Sequence, residues 1–139
     1  MILGLEVPEK KLKKVKEKAK NIILFIGDGM SMSQVTALRL SQGGPNSRVA
    51  VDEFPYSGKV LTHSANAIVT DSASSGTAFS TGIKTNNRAL GVDVSGNPVE
   101  NITEILDKSG FVSSVISTSE VTHATPAAFV AHVLSLIHI

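Results

Sequence analysis

The chain has 139 residues, 42% of them hydrophobic and 4% aromatic, with a net charge of +1 and no cysteine. That length fits one small domain or a piece of a larger one, and the apolar content excludes a disordered chain. The near-neutral charge argues against an electrostatic nucleic-acid binder, and the lack of cysteine excludes a disulfide framework or a thiolate metal site. The charge is uneven. Residues 1–20 carry seven lysines against three glutamates, +4, which leaves −3 on the remainder. The four histidines are scattered, with no pair at metal-binding spacing. No apolar run approaches transmembrane length.

Residues 1–7 are apolar apart from Glu6, and the basic stretch follows them, the reverse of the order in a secretory signal. Residues 8–20 read as a lysine-rich helical arm, with Leu12 and Val15 too thin an apolar face for a membrane role. Ile22-Ile23-Leu24-Phe25-Ile26 reads as a strand buried on both faces, ending in Gly27-Asp28-Gly29. Residues 33–42 read as a helix with Val35, Leu38 and Leu40 inward, stopped by Gly43-Gly44-Pro45. A second strand is expected over 58–63. Asp71 or Ser72 caps the next helix, which runs to Thr81 and stops at Gly82. Residues 84–99 are turn-rich. Asn101 with Glu104 forms a capping box for a helix with Ile102, Ile105 and Leu106 on one face, closed by Gly110. Residues 111–117 read as a strand. Thr125-Pro126 opens a last helix, with proline at its first position. Alternating strands and helices predict an α/β fold with a largely parallel sheet.

In open α/β sheets, ligands bind beyond the carboxyl ends of the strands. Asp28, Asp71-Ser72 and His123-Ala124-Thr125 all fall at such places and precede helix N-termini. In Val69-Thr70-Asp71-Ser72-Ala73-Ser74-Ser75-Gly76-Thr77, small residues start a helix directly beneath the Ser72 hydroxyl. A positive helix end there suits an incoming phosphate, making Ser72 a candidate nucleophile for phosphoryl transfer. Asp28, flanked by glycines, suits a hard cation. Each position also has an ordinary structural use: a turn at Asp28, and helix caps at Asp71-Ser72 and Thr125. A hydroxyl oxygen has two lone pairs, so capping and cation binding are compatible. His63 and His132 read as packing or surface residues.

Asn21-Ile22-Ile23-Leu24-Phe25-Ile26-Gly27-Asp28-Gly29-Met30 resembles the opening strand and first metal loop of the alkaline phosphatases. The run 69–77 is similar to their nucleophile signature. Ser80-Thr81-Gly82-Ile83-Lys84-Thr85, Ala89-Leu90-Gly91-Val92-Asp93 and the segment 117–133 resemble later motifs, so the similarity covers roughly residues 20–133. This resemblance implies a three-layer α/β/α fold and hydrolysis of phosphate monoesters through a phosphoserine, with two zinc ions and one magnesium per site. It implies Ser72 as nucleophile and zinc ligand, Asp28 bridging zinc and magnesium, and Thr125 as a magnesium ligand. Asp71 would orient a phosphate-binding arginine. His123 would act on magnesium through water and weaken its retention. It further implies a homodimer, a periplasmic or extracellular location and no nucleic-acid partner, although no export signal is visible.

The pattern calls for an arginine three residues after Val133, where this chain has Leu136. Residues 134–139 read as a non-native tail, the translation of a sequencing-library adapter, so His138 is not counted as a ligand. The chain thus divides into an arm (1–20), part of a phosphatase-like domain (21–133) and the tail. Most zinc ligands lie further along in the family, so the polypeptide is expected to be inactive alone and to fold poorly. Two other readings compete: a serine acyl hydrolase, and a non-catalytic phosphate-binding domain. The first lacks the glycine two residues before Ser72 that a Gly-x-Ser-x-Gly elbow requires.

Overall fold

The computed structural model describes residues 20–135. The helical arm expected within 1–20 and most of the tail lie outside them. Among the described residues four helices follow in chain order: α1 (Met32–Ser41), α2 (Ser72–Thr81), α3 (Ile102–Lys108) and α4 (Ala124–Ala127), with a 3-10 turn at Ala50–Glu53.

Local chemistry explains each helix end. Asp71 is the N-cap of α2, its Oδ1 accepting from the Ser74 N–H at 2.9 Å. Gly82 ends α2 at φ +78°, a left-handed conformation that favours glycine, and its N–H returns to the Ala78 carbonyl. The expected capping box opens α3. Asn101 Oδ1 accepts from the N–H groups of Thr103 and Glu104, while Glu104 Oε2 accepts from the Asn101 N–H at 2.8 Å. In α1 the box is Ser31 with Gln34.

The reading of α4 needs correction. His123 is the N-cap, so Thr125 and Pro126 sit second and third in the helix rather than at its cap and first position. Proline is still tolerated there, because N–H groups of the first turn have no intrahelical partner.

The core is small and tight. Ala73, Leu90, Ala127, Ala128 and Phe129 are buried together, with Ile26, Val115, Ala131 and Val133 packed against them. Leu90 and Val133 form an antiparallel bridge with both hydrogen bonds at 2.8 Å. At Gly76 an added Cβ would stand 2.8 Å from the Ala128 Cβ, so α2 and α4 meet where one of them has no side chain.

The expected strands over 22–26, 58–63 and 111–117 form no ladder among the described residues, where isolated bridges are the β pairing present. Ile22, Phe25 and Val112 are 72%, 86% and 95% exposed. A strand buried on both faces exists only where neighbours pair its edges and cover its faces. Ile26 and Val115, at the C-terminal parts of two of these runs, are the positions that reach the core. The inward face expected for α1 is likewise largely uncovered, with Val35 half-buried and Leu38 and Leu40 exposed. Instead α1 is tied down by Arg39, which grips Asp52 through two hydrogen bonds of 2.6 and 2.8 Å. That guanidinium, with the Val49 N–H, holds the Asp52 carboxyl well below its ordinary range.

Gly76→Ala is expected to lower the melting temperature. Helix propensity favours alanine by about 1 kcal/mol, but overpacking against Ala128 costs about 1–3 kcal/mol. Thermal unfolding followed by circular dichroism measures the balance.

Candidate functional site

Three residues singled out from separate parts of the sequence meet at one carboxylate. Ser72 Oγ donates to Asp28 Oδ1 at 3.2 Å, and Thr125 Oγ1 donates to Asp28 Oδ2 at 2.7 Å. The sequence separations are 44 and 97 residues, so tertiary structure alone brings them together. Asp28 is exposed, and Ser72 and Thr125 are half-buried. Ser72 is the first residue of α2, at the positive end of its dipole.

Asp71 is held on both oxygens. Oδ1 accepts from the Ser74 N–H and lies 3.0 Å from Ser74 Oγ, while Oδ2 accepts from the Arg88 N–H at 2.6 Å. Arg88 adopts φ +73°, a conformation that L residues rarely take. Asn87 completes this support, accepting from the Asp71 N–H and donating through Nδ2 to the Val69 carbonyl. The acid beside the candidate nucleophile is thus a rigid cap joined to the 87–88 turn. The capping use and the placement of Ser72 coincide here.

His123 is exposed, and its backbone contributes the N-cap of α4. His63 is exposed, its Nδ1 next to the Ser64 carbonyl, while its own carbonyl accepts from Lys84 Nζ. His132 is half-buried and bonded through both ring nitrogens, to the Gly91 carbonyl at 2.6 Å and Glu104 Oε1 at 3.0 Å. Sequence reading missed Asn87, Arg88 and Gly91 as supports. Spacing carries no signal for them, because each acts on a residue more than a dozen positions away.

The donor set around Asp28 is all oxygen, one carboxylate and two hydroxyls, which fits part of the coordination shell of a hard divalent cation such as magnesium. Among the described residues no group of three or more His, Cys, Asp or Glu side chains gathers to hold a metal.

Residues 19–136 match the sequence profile described as alkaline phosphatase. The alkaline phosphatase of Escherichia coli strain K12 is 44% identical over 124 residues, covering 84% of this chain and 26% of that protein. Alkaline phosphatase H of Pseudomonas aeruginosa is 41% identical over 125 residues, covering 85% and 26%. Among solved structures, the alkaline phosphatase of the Antarctic bacterium TAB5 superimposes with a TM-score of 0.68 at 38% identity, covering 75% of this chain and 31% of that one. A cold-active alkaline phosphatase from a psychrophilic Shewanella gives 0.73 at 36% identity, covering 80% and 29%. A variant of the TAB5 enzyme with magnesium bound in its M3 site gives 0.71 at 38% identity, covering 78% and 31%. The chain spans about a quarter of the length of these curated relatives.

Asp71→Ala removes the cap of α2 and frees the Arg88 N–H, and is expected to cost about 1–2 kcal/mol. Asp71→Asn keeps an oxygen for Ser74 and should lose less. Urea denaturation of both variants tests the order.

Proposed function

The chain belongs to the alkaline phosphatase family of phosphoric monoester hydrolases, with its α/β fold, and from that premise we propose that Ser72 accepts a phosphoryl group from a phosphate monoester. The observation that carries this reading is the Asp28 carboxylate facing Ser72 Oγ with one oxygen and Thr125 Oγ1 with the other. Asp28 and Thr125 would hold magnesium, and Asp28 and Ser72 would share zinc, within a complete set of two zinc ions and one magnesium. Bound there, divalent cations make the serine oxygen nucleophilic at neutral pH and neutralise charge on the phosphoryl group.

The chain's own residues do the rest. The hydrogen bond to Asp28 Oδ1 fixes the direction of Ser72 Oγ, and the α2 N-terminus favours the negative phosphoryl oxygens. Attack by Oγ on phosphorus forms the phosphoserine as the ester oxygen departs with a proton. Water then releases inorganic phosphate and restores the hydroxyl. Asp71, rigid between Ser74 and Arg88, keeps the start of α2 in place and would orient a phosphate-binding arginine. His123, at the N-cap of α4 and exposed, would reach the magnesium region through water and weaken retention of the ion.

Residues 21–133 form the phosphatase-like unit in this reading, flanked by the arm and the tail. Its runs 22–26, 58–63 and 111–117 become strands of a parallel sheet in a three-layer α/β/α domain once neighbours pair with them. Dimerisation and a periplasmic or extracellular location follow from the family. In this reading most zinc ligands of the family would lie outside this chain, and the isolated polypeptide would then be inactive.

A chimera decides the matter, with residues 20–133 replacing the matched stretch of the Escherichia coli relative. It is expected to hydrolyse phosphate monoesters in a zinc-dependent manner, while the 139-residue chain alone does not. Ser72→Ala in the chimera should lower kcat/KM by at least about a thousandfold and abolish phosphate labelling of the protein. Unchanged turnover in that variant would refute the nucleophile. Metal-independent capture by a fluorophosphonate would favour the acyl hydrolase instead.

His123→Asp in the same chimera is expected to tighten magnesium, read as a lower half-activating concentration. No change would remove His123 from the magnesium region.

A further inference from the structure

Both partners of the His132 ring are hydrogen-bond acceptors. Nδ1 lies 2.6 Å from the Gly91 carbonyl and Nε2 lies 3.0 Å from Glu104 Oε1. A neutral imidazole has one N–H, so a neutral ring would turn a lone pair toward one of these oxygens. Only the imidazolium satisfies both contacts when Glu104 is ionised.

The position of this ring in the fold gives its charge a consequence. Gly91 connects α2 to the segment that follows α4: its N–H donates to Thr77 Oγ1 of α2 at 3.0 Å, and its carbonyl faces His132. At φ +59° glycine is the residue that fits, since an added Cβ would lie 2.6 Å from His132 Nδ1. Glu104 anchors the other side of the ring to α3, where Thr103 Oγ1 also donates to the Phe129 carbonyl at 2.7 Å. His132 follows α4 through a continuous turn, with the Ala131 N–H on the Ala127 carbonyl at 2.8 Å, and the next residue pairs with Leu90.

We propose that His132, donating from both ring nitrogens, is a positioning residue that couples α4, which carries Thr125, to α2, which carries Ser72. The proposal rests on the phosphatase reading only for the importance it gives Thr125. The groups lining the cleft beside the ring are Pro98, Glu100, Glu104, Asp107 and Lys108. Lys108 is paired with Glu100 and also acts on Glu104 through its charge, while the direct ion-pair contact of Glu104 is with the histidine.

The pH window follows from the two partners. Burial pulls the His132 pKa down, but the Gly91 carbonyl and Glu104 outweigh it and hold the value above the ordinary 6.5. The Asn101 N–H, then His132, hold Glu104 below its ordinary 4.5. The histidine's contribution is complete below 6.5 and fades as pH rises through its folded pKa. The glutamate's contribution is complete above 4.5 and fades as pH falls through its lowered value.

The test is an NMR titration of isotope-labelled protein, run on the chimera, with the 139-residue chain in parallel. The His132 ring should titrate with a midpoint above 6.5, and the Thr125 methyl and amide signals should follow it with the same midpoint. Glu104→Gln should move both midpoints down together, and His132→Gln should remove the Thr125 response. An ordinary midpoint for His132, or a Thr125 signal that does not move with it, overturns the coupling. Where His132→Gln loses its native spectrum, the joint shift in Glu104→Gln decides. Coupled titration in a chimera without phosphatase activity would sink the phosphatase reading and leave the clamp standing. Full activity without the coupled shift would do the reverse.

Discussion

The absence of a side chain at Gly76 lets α2 and α4 pack against each other at Ala128, and that approach sets the spacing of the candidate site. Ser72 is four residues before Gly76 on α2, and Thr125 is three residues before Ala128 on α4. Their hydroxyls therefore come within reach of one carboxylate because the Ala128 methyl packs directly on the α2 backbone at Gly76. The hydrogen bonds to Asp28 then select orientations within a distance that packing has already imposed. Small residues at this contact give up apolar burial, about 0.8 kcal/mol per missing methylene, in exchange for a short helix-to-helix separation.

Polar groups supply much of the remaining order. Buried Thr77 binds the 89–91 turn, accepting from the Gly91 N–H and donating to the Ala89 carbonyl. Asp71 holds Arg88 and Thr103 holds Phe129. The Asp71 and Thr103 tethers start at helix N-termini, where backbone groups lack helical partners, while Thr77 acts from the middle of α2. A core of five buried side chains is thereby supplemented by directional contacts that fix register as well as distance.

The caps were legible in the sequence because they are local. Asp71, Gly82, Asn101 and Glu104 act on groups within a few positions of themselves, and each stands where the pattern placed it. The meeting of Ser72, Thr125 and Asp28 was legible as a set of loop positions, though no spacing rule measures a separation of 97 residues. Thr125 was misplaced as a cap because threonine before proline fits both the cap and the first turn, and Ala124 carries no signal to choose between them. Residues 22–26 and 111–117 have the composition of buried strands, but pairing is a property of neighbours that a single segment does not contain. His132 reads as a packing or surface residue because its partners, at 91 and 104, bear no periodic relation to it.

The uncovered run Ile22-Ile23-Leu24-Phe25 has a meaning outside catalysis. Four large apolar residues in succession, with no charge or proline among them, make the kind of segment that associates with copies of itself and that holdase chaperones bind. A stretch whose sequence suits the inside of a sheet is, while bare, a surface open to self-association.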